Sequence, residues 1–405
     1  MKSLILAKAS LACGIAVVIL SACSTLPSKQ SEQKSDSNQV TNNDNFAELE
    51  KKPDSLAPFL EKVSQDHGIP LKDLQLAFED ARTIPSIKKL VMPPPVGFQK
   101  NWKVYRSRFV EPKRLAAGQQ FWKKHRSFIE ATANKTGVPA EVIVSIIGVE
   151  TIYGKHMGGF SVRDTLITLG FDYPNTPNRS SREALFKNQL EDLILLCRTE
   201  NQEASPFKKC LNQLGSYAGA IGLPQFMPGS IRRFAVDGNN DGRIDLRNSP
   251  EDAIASVANF LKAHGWVTGE PIYLDIQSND EVVSLAKKLA DGEPKAKLKL
   301  GDLAKDQIIP KTELPDTTPS LVVDLPSPDG NGGTEVKYVI GLRNFIAICD
   351  YNRSFFYAQS VAEFAQALRG EVPAQEVATK KSSGKTKKAS KKPSKKSTKV
   401  KQAAN

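Results

Sequence analysis

The sequence predicts a mainly α protein with a small inserted α/β domain. Three observations carry that expectation. Apolar residues recur at helical spacing from Leu56 onward: Leu56, Phe59, Leu60 and Val63, then Leu71, Leu74 and Phe78. Residues 140 to 152 are apolar nearly all round, which marks a central, buried helix. After Gly269 the pattern changes to short β-type runs, Ile272-Tyr273-Leu274 and Leu321-Val322-Val323, separated by Gly, Pro and Asp clusters.

The elements follow in order. Lys2 and Lys8 precede a small or apolar run from Leu11 to Leu20, the pattern of a secretory signal peptide over 1–22. It ends in Leu20-Ser21-Ala22-Cys23, which resembles the bacterial lipobox and implies cleavage before Cys23 and its lipidation. An ordinary signal peptide that happens to hold a cysteine is the alternative. Residues 23–52 are polar and read as a flexible tether. The main helical body spans 53–269. Within it, residues 84–104 carry Pro85, Pro93, Pro94 and Pro95 and are expected to be largely irregular. One helix is expected from Pro112 to Lys135, stopped by Gly137-Val138-Pro139, with Pro139 in the first turn of the next. Further helices are expected over 181–199 and 250–264. Residues 270–337 form the insertion, and 338–370 return to apolar and aromatic helix. Residues 371–405 are a Lys-rich tail that cannot build a core and is expected to be disordered.

Composition narrows the function. A hydrophobic fraction of 40% and a charged fraction of 25% suit a soluble globular body. No internal run reaches the ~18 apolar residues of a spanning helix. The net charge of +12 is a property of the tail: residues 380–401 hold 11 lysines and no acid, which leaves 12 − 11, or +1, elsewhere. A near-neutral exported body argues against nucleic-acid binding. The tail is a solvated run of like charge or an attachment to acidic envelope polymers and anionic headgroups. Export permits a Cys197–Cys210 disulfide, and two buried free thiols fit the sequence equally well. No cysteine or histidine spacing matches a zinc site.

Three segments carry chemistry. In Ile146-Ile147-Gly148-Val149-Glu150-Thr151-Ile152-Tyr153-Gly154, Glu150 shares a helix face with Ile143 and Ile147. Desolvation there raises a carboxyl pKa, as a general acid at neutral pH requires. A buried structural Glu, paired with Arg or capped by backbone, is the other reading. The run Gly215–Ser230 mixes glycines with the hydrogen-bonders Ser216 and Gln225, and fits either a ligand site or close helix packing. In Asp237-Gly238-Asn239-Asn240-Asp241-Gly242-Arg243-Ile244-Asp245, oxygen side chains at Asp237, Asn239 and Asp241, then Gly242 and Ile244, match the start of an EF-hand calcium loop. The carbonyl of Arg243 would supply the next ligand. The usual closing Glu is absent, its place taken by Asn248. A metal-free turn is the alternative.

The first two segments together resemble the membrane-bound lytic murein transglycosylase B family, whose site is framed by G-V-E-T-x-x-G and S-[YF]-A-G-A-x-G-x-x-Q-F-M-P stretches. The resemblance runs from about Tyr105 through Trp266 and resumes at Tyr351–Tyr357. It implies a lysozyme-like catalytic domain with Glu150 as sole acid/base. Ser216 and Gln225 would hold substrate. Tyr105, Tyr351, Asn352 and Tyr357 would line the cleft, and Arg182 would meet the peptide stem. It also implies a calcium loop, 237–252, closed by Asp252. Two positions depart from the family pattern. Ser181 replaces an arginine, which puts stem contacts in doubt, and Phe260 replaces a tyrosine.

The function implied is cleavage of the N-acetylmuramic acid–N-acetylglucosamine β-1,4 bond of peptidoglycan, with a 1,6-anhydro product. Two rivals stand beside it: a hydrolytic muramidase, and a peptidoglycan-binding scaffold without catalysis. A calcium sensor is weaker, since one loop is visible. Asp164 and Asp172 are expected as cap or turn residues rather than as a second catalytic acid. The implied setting is the outer membrane, lipid-anchored and facing the periplasm. The implied protein is a monomer without organic cofactor, with cell-wall synthesis proteins as candidate partners.

Overall fold

The computed structural model describes residues 49–370 except 96, 201–203, 277–278, 306–307 and 309–313. The signal peptide, Cys23 and the Lys-rich tail lie outside the described residues. In chain order the leading elements are β1 (Glu50–Lys51), α1 (Leu56–His67), α2 (Leu71–Ala77), β2 (Arg82–Thr83) and α3 (Pro85–Leu90). There follow α4 (Trp102–Phe109), α5 (Pro112–Lys124), α6 (Arg126–Thr136) and α7 (Ala140–Thr151). Then come β3 (Phe160–Ser161), α8 (Val162–Phe171), α9 (Arg179–Glu200), α10 (Ala204–Leu211), β4 (Leu214–Gly215), α11 (Pro228–Phe234) and α12 (Pro250–Ala263). The insertion holds β5 (Tyr273–Asp275), α13 (Asp280–Leu289), β6 (Leu298–Lys299), α14 (Leu300–Lys305), β7 (Pro319–Pro328) and β8 (Thr334–Gly341). The chain closes with α15 (Arg343–Tyr351) and α16 (Phe355–Arg369).

The main core is built around α7. Every residue from Val142 to Val149 is buried, and α5, α6, α12 and α16 pack around the helix. Ser145 Oγ donates to the Val361 carbonyl at 2.7 Å, so the polar side chain within this apolar helix is satisfied by α16. Burial of Ile143, Ile146 and Ile147 stabilises by about 1.5–3 kcal/mol per side chain.

The insertion shares its sheet with that core. The strand order is β5-β8-β7-β6, antiparallel throughout. Leu321, Val323, Leu325 and Val339 face the main core. Their alternating neighbours Val322, Tyr338 and Ile340 face a second core with Leu274, Val282, Ala286, Leu300 and Leu303. Both faces are covered over Leu321–Val323 and Tyr338–Ile340, so those stretches read as continuous apolar runs.

Several expectations need correction. Residues 49–52 are not tether: Glu50 and Lys51 pair with Thr83 and Arg82, and Lys52 Nζ donates to the Phe78 carbonyl at 2.9 Å. The proline-rich stretch 84–104 holds α3 and the start of α4, because Pro85 sits in the first turn of α3, where its missing N–H is harmless. The helix expected over 112–135 breaks at His125, whose φ of −110° and ψ of 22° leave the helical region. Pro139 caps α7 rather than entering it. The return to helix expected from 338 begins at Arg343, since β8 continues to Gly341.

Cys197 and Cys210 form a disulfide, joining α9 to α10; Cys349 is a buried free thiol. No helix among the described residues is long and apolar enough to cross a membrane. Closing a loop of 13 residues restricts the unfolded chain, which is worth roughly 2–4 kcal/mol. Cys197→Ser should therefore lower Tm by several degrees under oxidising conditions and leave it unchanged, relative to wild type, in reductant. Equal melting in both conditions would show that the bridge does not form.

Candidate active site

Glu150 is the next-to-last residue of α7 and is half-buried. The helix ends abruptly behind it. Ile152 (φ 49°) and Tyr153 (φ 56°) both adopt left-handed backbone, which strains side chains other than glycine. Gly148 makes room for this turn: a Cβ there would stand 2.3 Å from Tyr153 Oη.

Two groups hold the carboxylate electrically. Tyr357, on α16, donates its hydroxyl to Glu150 Oε1 at 2.5 Å. Arg114, on α5, lies under the C-terminal turn of α7, with Nη1 donating to the Gly148 carbonyl at 2.5 Å and the Val149 carbonyl at 3.4 Å. Burial pushes the Glu150 carboxyl up to about 7, against the opposing pull of the Tyr357 hydrogen bond and the Arg114 charge. Burial and the Glu150 charge in turn hold the Tyr357 hydroxyl well above its ordinary range, so it stays a donor.

The loop between β4 and α11 forms one wall. Pairing of Phe160 with Gly215 brings it beside the end of α7. Thr151 Oγ1 donates to the Leu223 carbonyl at 2.9 Å and fixes it there. Gln225 sits in left-handed backbone (φ 50°), and its amide nitrogen donates to the Gly222 carbonyl at 2.9 Å. The end of α15 forms the other wall, where Tyr351 Oη donates to the Pro224 carbonyl at 2.5 Å and ties the walls together. Between them lies a pocket lined by Glu150, Gln225, Tyr351 and Asn352 together with Ala220, Phe226, Met227, Ser230, Phe260 and Asp350.

Of the residues singled out in the sequence, Glu150, Gln225, Tyr351 and Asn352 meet in this pocket. Tyr357 contributes a hydroxyl to the acid rather than a bare aromatic wall. Tyr105 lies in the field of Glu150 and packs against Phe109 and Phe356. Ser216 turns its oxygen to its own loop, accepting from Ala220 N at 3.0 Å and Ala218 N at 3.3 Å, outside the pocket lining. Arg182 lies over the rings of Tyr173 and Phe186, also outside it. Phe260 does line the pocket, stacked on His264 at 3.9 Å. Asp164 accepts from Arg163 Nε at 2.9 Å and Asp172 pairs with Lys88 at 2.7 Å, so neither serves the pocket. Arg114 was not legible in the sequence. Asp350 was visible beside Tyr351, with no feature to mark it.

Among the expected calcium ligands, Asp237 and Asn239 both turn an oxygen to the Asp241 amide. Among the described residues no three His, Cys, Asp or Glu side chains are grouped to hold an ion. Backbone amides hold the oxygens instead. Asp237 accepts from Gly242 N (2.8 Å) and Asp241 N (3.2 Å). Asn239 accepts from Asp241 N (3.0 Å), and Asp241 from Arg243 N (2.9 Å). Buried Asp252 closes the loop through Gly238 N (2.9 Å) and Asp245 N (2.7 Å).

A carboxyl pKa raised by folding destabilises the fold wherever the group ionises. That stability is present below the unfolded value near 4.5 and is lost as pH rises through about 7. Glu150→Gln, neutral at every pH, should raise stability by on the order of 2–3 kcal/mol at pH 8 and change little at pH 4. Melting curves at both pH values test this; a gain of equal size at each would mean that Glu150 is not desolvated.

Residues 51–366 match the transglycosylase SLT domain model. The chain is 35% identical over 321 residues to membrane-bound lytic murein transglycosylase B of Escherichia coli (strain K12), covering 76% of this chain and 81% of that one. Among solved structures, soluble lytic transglycosylase SltB1 from Pseudomonas aeruginosa matches with TM-score 0.67 at 36% identity, covering 78% of this chain and 99% of that one. Escherichia coli lytic transglycosylase Slt35 in complex with calcium matches with TM-score 0.64 at 32% identity, covering 82% and 98%. An apolar helix ending in a desolvated acid, under walls from a glycine-rich loop and the end of α15, thus belongs with these peptidoglycan-cleaving enzymes, and the chain is a member of the transglycosylase SLT domain family of lytic transglycosylases.

Proposed function

We propose that Glu150 is the sole acid and base in cleavage of the N-acetylmuramic acid–N-acetylglucosamine β-1,4 bond, with a 1,6-anhydromuramic acid product. The observation that carries this is the Glu150 carboxyl, raised to about 7 and held by the Tyr357 hydroxyl, in the pocket wall. Protonated Glu150 gives its proton to the glycosidic oxygen as the C1–O bond breaks, and the acetamido oxygen assists at C1. The carboxylate so formed takes the proton of the muramoyl C6 hydroxyl, whose oxygen closes onto C1. Atoms balance without water, and Glu150 ends protonated. A hydrolase would use a second carboxylate to activate water; Asp350 is the other carboxylate of the pocket lining, and the products distinguish the two reactions. Gln225, Tyr351 and Asn352 orient the sugars from the pocket walls. Tyr105, Ser216 and Arg182 contact substrate farther out along the strand.

The setting is a proposal of the same kind: lipidation at Cys23, anchorage in the outer membrane facing the periplasm, a monomer working on glycan strands beside cell-wall synthesis proteins. A binding scaffold without catalysis fits poorly with an acid held at a raised pKa, since a carboxylate that only binds gains nothing from desolvation.

Peptidoglycan sacculi incubated with the wild type should release muropeptides ending in 1,6-anhydromuramic acid, read by mass spectrometry. Glu150→Gln should lower the rate by at least 10²–10⁴-fold, roughly the contribution of general acid catalysis. Because the first step needs the protonated acid, kcat/KM should fall as pH rises past about 7. Products one water heavier, with reducing ends, would establish hydrolysis instead.

Calcium is proposed as a structural ion of the loop 237–252. All its donors are oxygen, which suits a hard cation, and a related chain was solved with calcium. Asp237, Asn239, Asp241, the Arg243 carbonyl and Asp252 would hold it by turning from the loop's own amides. Millimolar calcium should then raise Tm by a few degrees, up to about 3 kcal/mol at a hundred times Kd, and Asp237→Ala should abolish the rise. Identical melting with calcium and with chelator would leave a metal-free turn.

A further inference from the structure

Asp350 stands in the last turn of α15, next to Tyr351, and lines the pocket that holds Glu150. The structure gives its carboxylate no hydrogen bond or ion pair among the described residues; His264 and Arg353 act on it only through their charge. Two residues on, Asn352 is 6% exposed, and its Oδ1 is fully enclosed without a donor. In the same pocket the Glu150 carboxylate accepts from Tyr357, the Tyr351 hydroxyl donates to Pro224, and the Gln225 amide nitrogen donates to Gly222. An acceptor withdrawn from water without a donor destabilises a fold. Asn352 Oδ1 is such an acceptor, and with the half-buried Asp350 carboxylate on the same wall it leaves a surface complementary to a ligand rich in O–H and N–H groups.

We propose that Asp350 is a substrate-binding residue which, with Asn352, forms an acceptor wall for the hydroxyl and amide N–H donors of an N-acetylated sugar. This rests on reading the pocket as the glycan-cleaving site. The wall selects for donors and against sugars in which those positions are blocked. Burial lifts the Asp350 carboxyl above the usual carboxylate range, as befits an acid to which the protein offers no donor.

The test uses the full chain as wild type, Asp350→Asn and Asp350→Ala. Initial rates over a range of sacculus concentration give apparent kcat and KM, and mass spectrometry gives the products. Loss of a hydrogen bond to a charged group should raise KM about tenfold or more in Asp350→Ala. The rise should be smaller in Asp350→Asn, which keeps one acceptor. In both, kcat should stay within about threefold and the anhydro products should persist. Tm should hold or rise, because the variants remove an unpartnered group. An unchanged KM in both variants overturns the proposal. So does a kcat loss at constant KM, which would make Asp350 part of the chemistry, and so does a Tm drop of many degrees, which would make it a prop of the fold. Cosedimentation of Glu150→Gln with intact sacculi, with and without Asp350→Ala, separates this proposal from the catalytic one. Affinity should drop about tenfold with Asp350→Ala whether or not the wild type forms anhydro products, and equal affinity overturns the acceptor wall.

Discussion

Desolvation of the Glu150 carboxyl shapes most of what surrounds it. An apolar helix buried from Val142 to Val149 carries an acid at its end, and that acid lines the pocket. Left alone, such a group would rise so far that it could no longer give up its proton at neutral pH. The Tyr357 hydroxyl and the Arg114 guanidinium pull the other way, and the balance settles near 7. Arg114 does this while satisfying carbonyls at the end of α7, so the same buried cation finishes the helix and moderates the acid. The strained turn at Ile152 and Tyr153, admitted by Gly148, holds the end of α7 where both partners can reach it.

The insertion takes part in this arrangement. Its sheet offers Leu321, Val323, Leu325 and Val339 to the main core, and its opposite face closes over a core of its own. Asp329 braces the β7–β8 hairpin by accepting from Asn331 N and Gly333 N. Arg106 of α4 and Glu363 of α16 form an ion pair beside that sheet, and Lys337 of β8 lies 3.8 Å from Glu363. The α/β unit thus backs α4 and α16, the helices that carry Tyr105 and Tyr357.

How much of this the sequence revealed follows physical lines. A long apolar run with a single carboxylate needs no knowledge of its neighbours to be read, so α7 and Glu150 were legible. Tyr338-Val339-Ile340 was mistaken for helix because a strand covered on both faces loses its alternation. The break at His125 was invisible, since the residues on either side all favour helix. The loop 237–252 displayed its donors but not their orientation, which depends on which amides reach them first. Resemblance supplied Tyr351 and Asn352, which line the pocket, and also Ser216 and Arg182, which do not. Arg114 and Asp350 depend on contacts between distant segments, and no local pattern marks such residues.

The order in which the pocket is assembled has a consequence in time. Glu150 is complete once α7 has formed, yet its hydroxyl partner lies 207 residues later and the second wall begins only at Asp350. As the chain emerges and folds from its N-terminus, the acid is made early and the cleft last. An enzyme arranged this way gains its cleft only when α15 and α16 close the body. Any break in the chain before them removes the second wall and the Tyr357 hydroxyl together, so a shortened chain carries the acid without its cleft.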